Sequence, residues 1–199
     1  MSQKTNDQLW NDYYQKVLKF PHKKRTEFAV SLINPPDPVA IDCGCGTGAD
    51  IHYLLEQGFQ VHAFDCHEQS IAVCQQRFAD QEGLHLQQAD FENYGYPKAD
   101  LIVANNSLYF ADPEQFPQTW ARIDASLDSG GIFAGDFIGY NDEWLKDPSH
   151  ILNPLTENEV RALFTGYELL RFKERDEAGM TALGEEKHWH TYHLVARKL

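Results

Sequence analysis

The segment Ala40-Ile41-Asp42-Cys43-Gly44-Cys45-Gly46-Thr47-Gly48 leaves a short apolar run and enters a stripe of helical spacing. Three alternate glycines permit a sharp turn and the close approach of a ligand that side chains would exclude. Asp65 follows 21 residues after Gly44, where a carboxylate can accept two hydrogen bonds from a ribose diol. Asp90 ends the next strand-like run with Phe91 beside it; a carboxylate there can accept from an exocyclic amine, and an aromatic ring can flank a purine. Each feature has a plainer use. Asp65 would cap a helix starting near Glu68, and Asp90 would serve a turn. Taken together, one per strand and on one sheet edge, they point to a nucleoside ligand.

Two further clusters invite metal chemistry. Cys43 and Cys45 flank Gly44, and His188-x-His190-x-x-His193 sets two imidazoles on one face of a strand. The glycine turn directs the cysteine side chains, however, and the histidines fit a cleft mouth or pairing with nearby acids, so no native metal site is expected.

The elements that must carry these residues follow from hydrophobic period. Residues 7–18 and 23–34 hold apolar side chains at helical spacing on either side of Pro21, and Asn34-Pro35-Pro36-Asp37-Pro38 closes that lead. Beyond it the period alternates between strand and helix. Val39–Ile41, Phe59–Phe64 and Leu84–Gln88 read as strands, with helices between them ending near Gly58 and Gly83. Leu101-Ile102-Val103-Ala104 is continuously apolar, as a central strand covered on both faces should be. A helix is expected from Asp112-Pro113 to Gly130-Gly131, and a fifth strand over Ile132–Ile138. Residues 139–155 form a long loop, Thr156-Glu157-Asn158-Glu159 a capping box, and Tyr167–Glu174 with Lys187–Arg197 an antiparallel hairpin. The alternation predicts an α/β fold with a parallel sheet between helical layers.

Composition narrows the partners. The 199 residues carry 17 Lys+Arg against 30 Asp+Glu, a net charge of −13. Residues 38–199 hold 11 basic and 26 acidic side chains, or −15, which repels phosphate backbones, so no nucleic-acid partner is expected. The apolar runs are far short of a bilayer span and the first residues, Met1-Ser2-Gln3-Lys4-Thr5-Asn6, form no signal-peptide core. A cytoplasmic protein with no membrane partner and reduced cysteines is expected.

Asp42-x-Gly44-x-Gly46-x-Gly48, Asp65 and Asp90-Phe91 resemble the first three motifs of the class I S-adenosylmethionine-dependent methyltransferases, and the resemblance runs from about residue 10 to the C-terminus. Ala104 to Phe110 is similar to that family's fourth-strand exit, and Ser129-Gly130-Gly131 to the glycine pair before its fifth strand. The resemblance implies a Rossmann-like three-layer sandwich with a seven-stranded, mostly parallel sheet in the order 3-2-1-4-5-7-6, strand 7 antiparallel. It implies one domain over residues 1–199: a helical lid at 1–37, a cofactor-binding core at 38–138, and an acceptor loop, short helix and hairpin at 139–199. The implied cofactor is S-adenosyl-L-methionine, held by Asp42, Gly44, Cys45, Gly46, Gly48, Asp65, Cys66, Asp90, Phe91 and Asn105. Length and the small hairpin look most like small-molecule enzymes of the tellurite-resistance type.

Other readings of the same architecture are weaker. A nicotinamide dehydrogenase would want its third glycine one residue later, and Asp42 places a negative charge where a pyrophosphate would bring two. A non-catalytic adenosyl-binding domain would show the same loop. The expected reaction is methyl transfer to a small-molecule nucleophile, for which positioning supplies several kcal/mol and a general base is needed only for a high-pKa acceptor. Acceptor contacts are expected from Asn106, Tyr109 and Asp136 above strands four and five, from Tyr140 and Trp144 in the long loop, and from Trp10, Tyr13 and Tyr14 in the lid.

Overall fold

The computed structural model describes residues 13–199, so Trp10 lies outside the described residues. Residues 13–17 are helical. Helix α1 spans Lys24–Val30, shorter than the expected 23–34, because the chain turns at Ser31, whose hydroxyl donates to the Phe28 carbonyl at 2.6 Å.

Strand β1 (Val39–Cys43) leads through the glycine loop to α2 (Ala49–Glu56), and β2 (Gln60–Asp65) to α3 (Glu68–Arg77). Strands β3 (Leu84–Gln88) and β4 (Ala99–Ala104) follow, then α4 (Phe116–Ser126), β5 (Leu127–Ile138), α5 (Glu157–Leu163), β6 (Tyr167–Met180) and β7 (Glu186–Lys198). The sheet has seven strands in the order β3-β2-β1-β4-β5-β7-β6. Neighbouring strands from β3 to β5 run parallel, and β7 is antiparallel to both β5 and β6, as expected.

Side chains alternate across this sheet into two cores. Ile102 and Ala104 of β4 join Phe133 and Phe137 of β5 under Trp120 and Ile123 of α4 and Val160 of α5. Leu101 and Val103 face the other way, with Ile132 and Ala134, against Ala29 of α1, Ile51 and Leu54 of α2, and Ile71 of α3. That double coverage explains why β4 is apolar throughout; each large side chain so buried contributes about 1.5–3 kcal/mol. The outer strand β6 is instead studded with charge, Glu168, Arg171, Lys173, Arg175 and Glu177 among them, which discourages edge-to-edge pairing.

Three further boundaries differ from expectation. Helix α4 begins at Phe116 with Pro117 in its first turn, whereas Asp112 caps a preceding turn through the Glu114 amide at 2.8 Å. Strand β5 starts at Leu127, paired with Ala99, and its register shifts before Leu101 meets Ile132, so Ser129-Gly130-Gly131 lies within the strand instead of ending a helix. Strand β6 extends to Met180. The capping box forms as expected, with the Thr156 amide donating to Glu159 at 2.7 Å and the Glu159 amide to Thr156 Oγ1 at 3.3 Å.

Candidate functional site

The glycine loop is built from backbone conformations that other residues resist. Gly44, Gly46 and Gly48 have φ of 70°, 53° and 79°. At two of them packing adds a second reason: a Cβ at Gly44 would lie 2.5 Å from Ser107 Cβ, and one at Gly48 would lie 2.6 Å from the Phe78 ring. Gly46 has room, with only the Tyr14 ring at 4.0 Å. The loop is clamped from below by α3: Ser70 Oγ and Cys74 Sγ donate to the Gly46 carbonyl at 2.6 and 3.3 Å, and Arg77 donates to the Thr47 carbonyl.

Asp65 sits at the end of β2, 7% exposed, and accepts from the Gly46 amide at 2.9 Å and the His67 amide at 3.0 Å. An ionised carboxylate offers about four lone-pair sites, so these two bonds leave acceptor capacity in hand. Tyr14 is buried against this corner, its ring edge-on to His67, and burial followed by the charge of Asp65 raises its phenol pKa. The Tyr13 phenol is raised for the same two reasons. Tyr14 therefore stands with the glycine loop and Asp65, not with the expected acceptor residues. Asp90 is exposed and accepts from the Asn93 amide at 2.8 Å, closing a turn. Phe91 is buried edge-on to Phe64, its ring 3.8 Å from where a Gly44 Cβ would be. Cys66 is exposed between Asp65 and His67, and Cys45 is buried beside Cys74.

Asp42 differs from expectation. It lies inside β1, buried, and burial together with the negative charge of Asp50 pushes its carboxyl well above the usual carboxylate range. The charge that sequence reasoning placed beside the loop is thus disfavoured in the fold as it stands. Its Oδ2 is buried without a hydrogen-bond partner. Such an orphaned acceptor is costly unless a donor or cation reaches it. Together with the open face of Gly46 and the unspent capacity of Asp65, it fits a ligand that carries a ribose and a positive charge.

A polar network fills the ends of β4, β5 and β7. Asp136 is wholly buried and holds a two-pronged contact with Arg25 of α1, whose Nη2 donates at 2.6 Å. His193 Nδ1 closes on the same carboxylate, and the Asn106 amide donates to it at 2.9 Å. Burial alone would raise the Asp136 pKa, but Arg25 and His193 overcome it and hold the group well below the carboxylate range. The Asn105 side chain bridges onward, accepting from Arg25 at 2.7 Å and donating to Asp50 Oδ2 and Thr26 Oγ1 at 2.9 Å each. Thr26 Oγ1 donates to Asp50 Oδ1 at 2.6 Å.

Two of the expected acceptor contacts, Asp136 and Tyr109, are buried. Asp136 spends its lone pairs on this network. Tyr109 is 2% exposed beneath the returning loop, its carbonyl accepting from the Asn153 amide at 2.9 Å. Trp144 and Trp189, their rings tilted to each other, flank Lys187 Nζ, which stands 3.8 and 3.9 Å from the two ring centroids and bonds the buried Asp142. Asn106 lines a cleft, in the left-handed region at φ 55°, and Tyr140 is exposed. The three histidines part company: His188 pairs with Asp176 at 2.6 Å, His190 with Glu174 at 3.0 Å, and His193 with Asp136. Arg25, Thr26, Asp50 and Lys187 were not singled out in the sequence, because their partners are 24 to 168 residues away.

Residues 40–131 match the family model described as "Methyltransferase domain". A curated relative, ribosomal RNA small subunit methyltransferase A of Synechococcus sp. (strain JA-3-3Ab), is 35% identical over 95 residues, a stretch covering 46% of this chain and about a third (34%) of that protein's length. Among solved structures, TehB from Haemophilus influenzae superposes with a TM-score of 0.76 at 19% identity, covering 96% of this chain and 68% of that one. The 1,6-didemethyltoxoflavin-N1-methyltransferase of Burkholderia thailandensis, solved with 1,6-didemethyltoxoflavin and S-adenosylhomocysteine, gives 0.63 at 20% identity, covering 100% of this chain and 92% of that one. The methyltransferase-domain match spans residues 40–131, and the strand order and glycine loop around it are those that the resemblance to the class I S-adenosylmethionine-dependent methyltransferases implies.

Proposed function

We propose that the chain transfers the methyl group of S-adenosylmethionine to a small-molecule nucleophile. The observation that carries this is the corner formed by the open face of Gly46, the partly committed Asp65 and the orphaned Asp42 Oδ2. Gly44, Gly46 and Gly48 let the backbone approach the methionine part. Asp65 takes the ribose hydroxyls, Asp90 and Phe91 the adenine, with Cys45 and Cys66 as neighbours, and the Asn105 carbonyl and Asp42 answer the ligand's positive charge. When bound, the cofactor supplies a methyl group already activated on a sulfonium. What remains for the protein is to fix the acceptor in line and keep water out.

The loop 139–155 is the means of exclusion. Leu152 packs with Tyr109 and Ile138, and the Lys187–Asp142 pair with its two tryptophans anchors the loop to β7. A small acceptor is favoured by the −15 charge of residues 38–199, which opposes a nucleic-acid substrate, and by the small ligand of the toxoflavin enzyme. No helix among the described residues is long and apolar enough to cross a membrane.

Calorimetry with S-adenosylmethionine tests the reading. Asp65→Ala is expected to weaken binding at least about tenfold, since each charge-assisted hydrogen bond lost is worth about 1.5–3 kcal/mol. Unchanged affinity in that variant, or no binding by the parent chain, refutes it; labelled-methyl turnover across a set of thiols, amines and hydroxyls then separates an enzyme from a binding domain.

A further inference from the structure

Beside the Asp136 network lies a cleft of about 310 Å³ between α1 and the outer strands. Its wall is cationic: Lys23, Lys24 and Arg25 come from the start of α1, Arg171 and Lys173 from β6, and His193 from β7. Arg171 and Lys173 are two apart on one strand and so share a face, opposite Val195 and His193 in the register. In a chain of net charge −13 this concentration runs against the average.

The balance inside the cleft sharpens the point. Arg25 and His193 are committed to Asp136, and Lys24 to Glu27 at 2.9 Å. Lys23, Arg171 and Lys173 have no carboxylate within ion-pair distance among the described residues. Their positions are nevertheless set. The Arg171 guanidinium lies 3.3 Å from the centre of the Phe28 ring, and the Asn106 side-chain amide, oriented to donate to Asp136, accepts from Lys23 Nζ at 3.2 Å. Three uncompensated cations held around one opening form a ready site for an anion. The buried Val195 gives the cleft an apolar floor, and its volume falls at the lower end of small-molecule pockets, so a bare inorganic oxyanion would leave most of it unfilled.

The cleft also adjoins the donor site. Ser107, packed on Gly44, and Asn106, lining the cleft, are consecutive residues of one turn after β4. Resting on the methyltransferase reading, we infer that this cleft binds the acceptor and that the acceptor is a small organic anion, a carboxylate or a phosphate monoester, whose charge is met by Lys23, Arg171 and Lys173.

The full chain saturated with S-adenosylhomocysteine is titrated with a panel of hydroxy, thiol and amino acids and phosphate monoesters, each paired with its neutral amide or ester, and with inorganic phosphate alone. At least one organic anion should bind tenfold or more tightly than its neutral partner, and R171E and K173E should each weaken it tenfold or more while leaving S-adenosylhomocysteine affinity unchanged. Whether carboxylates or phosphates lead identifies the headgroup. The inference is overturned if charged and neutral members bind alike, if the R171E/K173E double variant binds as the parent does, or if inorganic phosphate matches every organic anion. Failure of S-adenosylhomocysteine itself to bind would instead remove the methyltransferase reading beneath it.

Discussion

Arg25→Met removes a cation that only tertiary structure brings to Asp136. The carboxylate has no exposure at all and the Arg25 side chain only 14%, so water replaces little of what is lost. Breaking a buried ion pair by deleting one partner costs about 3–5 kcal/mol, because the remaining charge is left uncompensated. Against a typical stability of about 5–15 kcal/mol the loss is large, and at about 2–4 °C per kcal/mol for a domain of this size it lowers the melting midpoint by roughly 6–20 °C. The pH dependence should change sign. In the parent, Asp136 has a folded pKa below its unfolded value near 3.8, so its contribution is complete above that value and disappears as pH falls toward the depressed folded pKa. Without Arg25, burial dominates and the folded pKa moves above the unfolded one; stability then rises as pH is lowered through the raised value. Urea denaturation between neutral and mildly acidic pH measures both effects. Adding Asp136→Asn to Arg25→Met should recover most of the loss, since no buried charge is stranded. A single-variant loss under about 1 kcal/mol, or a double variant no more stable than the single, would refute the reasoning.

Other outcomes follow from the same geometry. Gly48→Ala should destabilise by about 1–3 kcal/mol and loosen cofactor binding, since the new methyl meets the Phe78 ring at 2.6 Å and φ is 79°, whereas Gly95→Ala, with open space around it, should leave the melting midpoint unchanged. Lys187→Met should speed limited proteolysis within residues 139–155 about tenfold or more, because Asp142 loses its buried counter-charge and the two tryptophans lose the cation between them; equal cleavage rates would show that the loop is held by other contacts.

What the sequence made legible was local. Four consecutive apolar residues marked β4 as a doubly covered strand, and three alternate glycines marked a turn whose φ values are all positive. Motif order and resemblance together carried the strand sequence through to the reversed β7. What stayed hidden depended on contacts across the chain. Nothing near Arg25 indicates that it reaches Asn105, Asp136 and His193, which lie 80, 111 and 168 residues away. Tyr109 and Asp136 stand where strand-end residues ordinarily face a ligand, but loop 139–155 folds back over Tyr109, pairing Leu155 with Ile138 and Asn153 with Tyr109, while Arg25, His193 and Asn106 enclose Asp136. Ser129-Gly130-Gly131 has the composition of a helix stop, and only the pairing of Leu127 with Ala99 shows that β5 has already begun.

The long sequence separations joined at Asp136 bear on how the molecule assembles. Closing such distant segments is entropically slow, so this junction should form after the β1–β4 layers have docked, and substitutions in it should mainly accelerate unfolding while leaving the refolding rate almost intact. During synthesis, Asp136 leaves the ribosome well before His193 does. A nascent chain halted between them would hold a half-neutralised carboxylate at its centre, a state exposed to proteases until the final strand arrives.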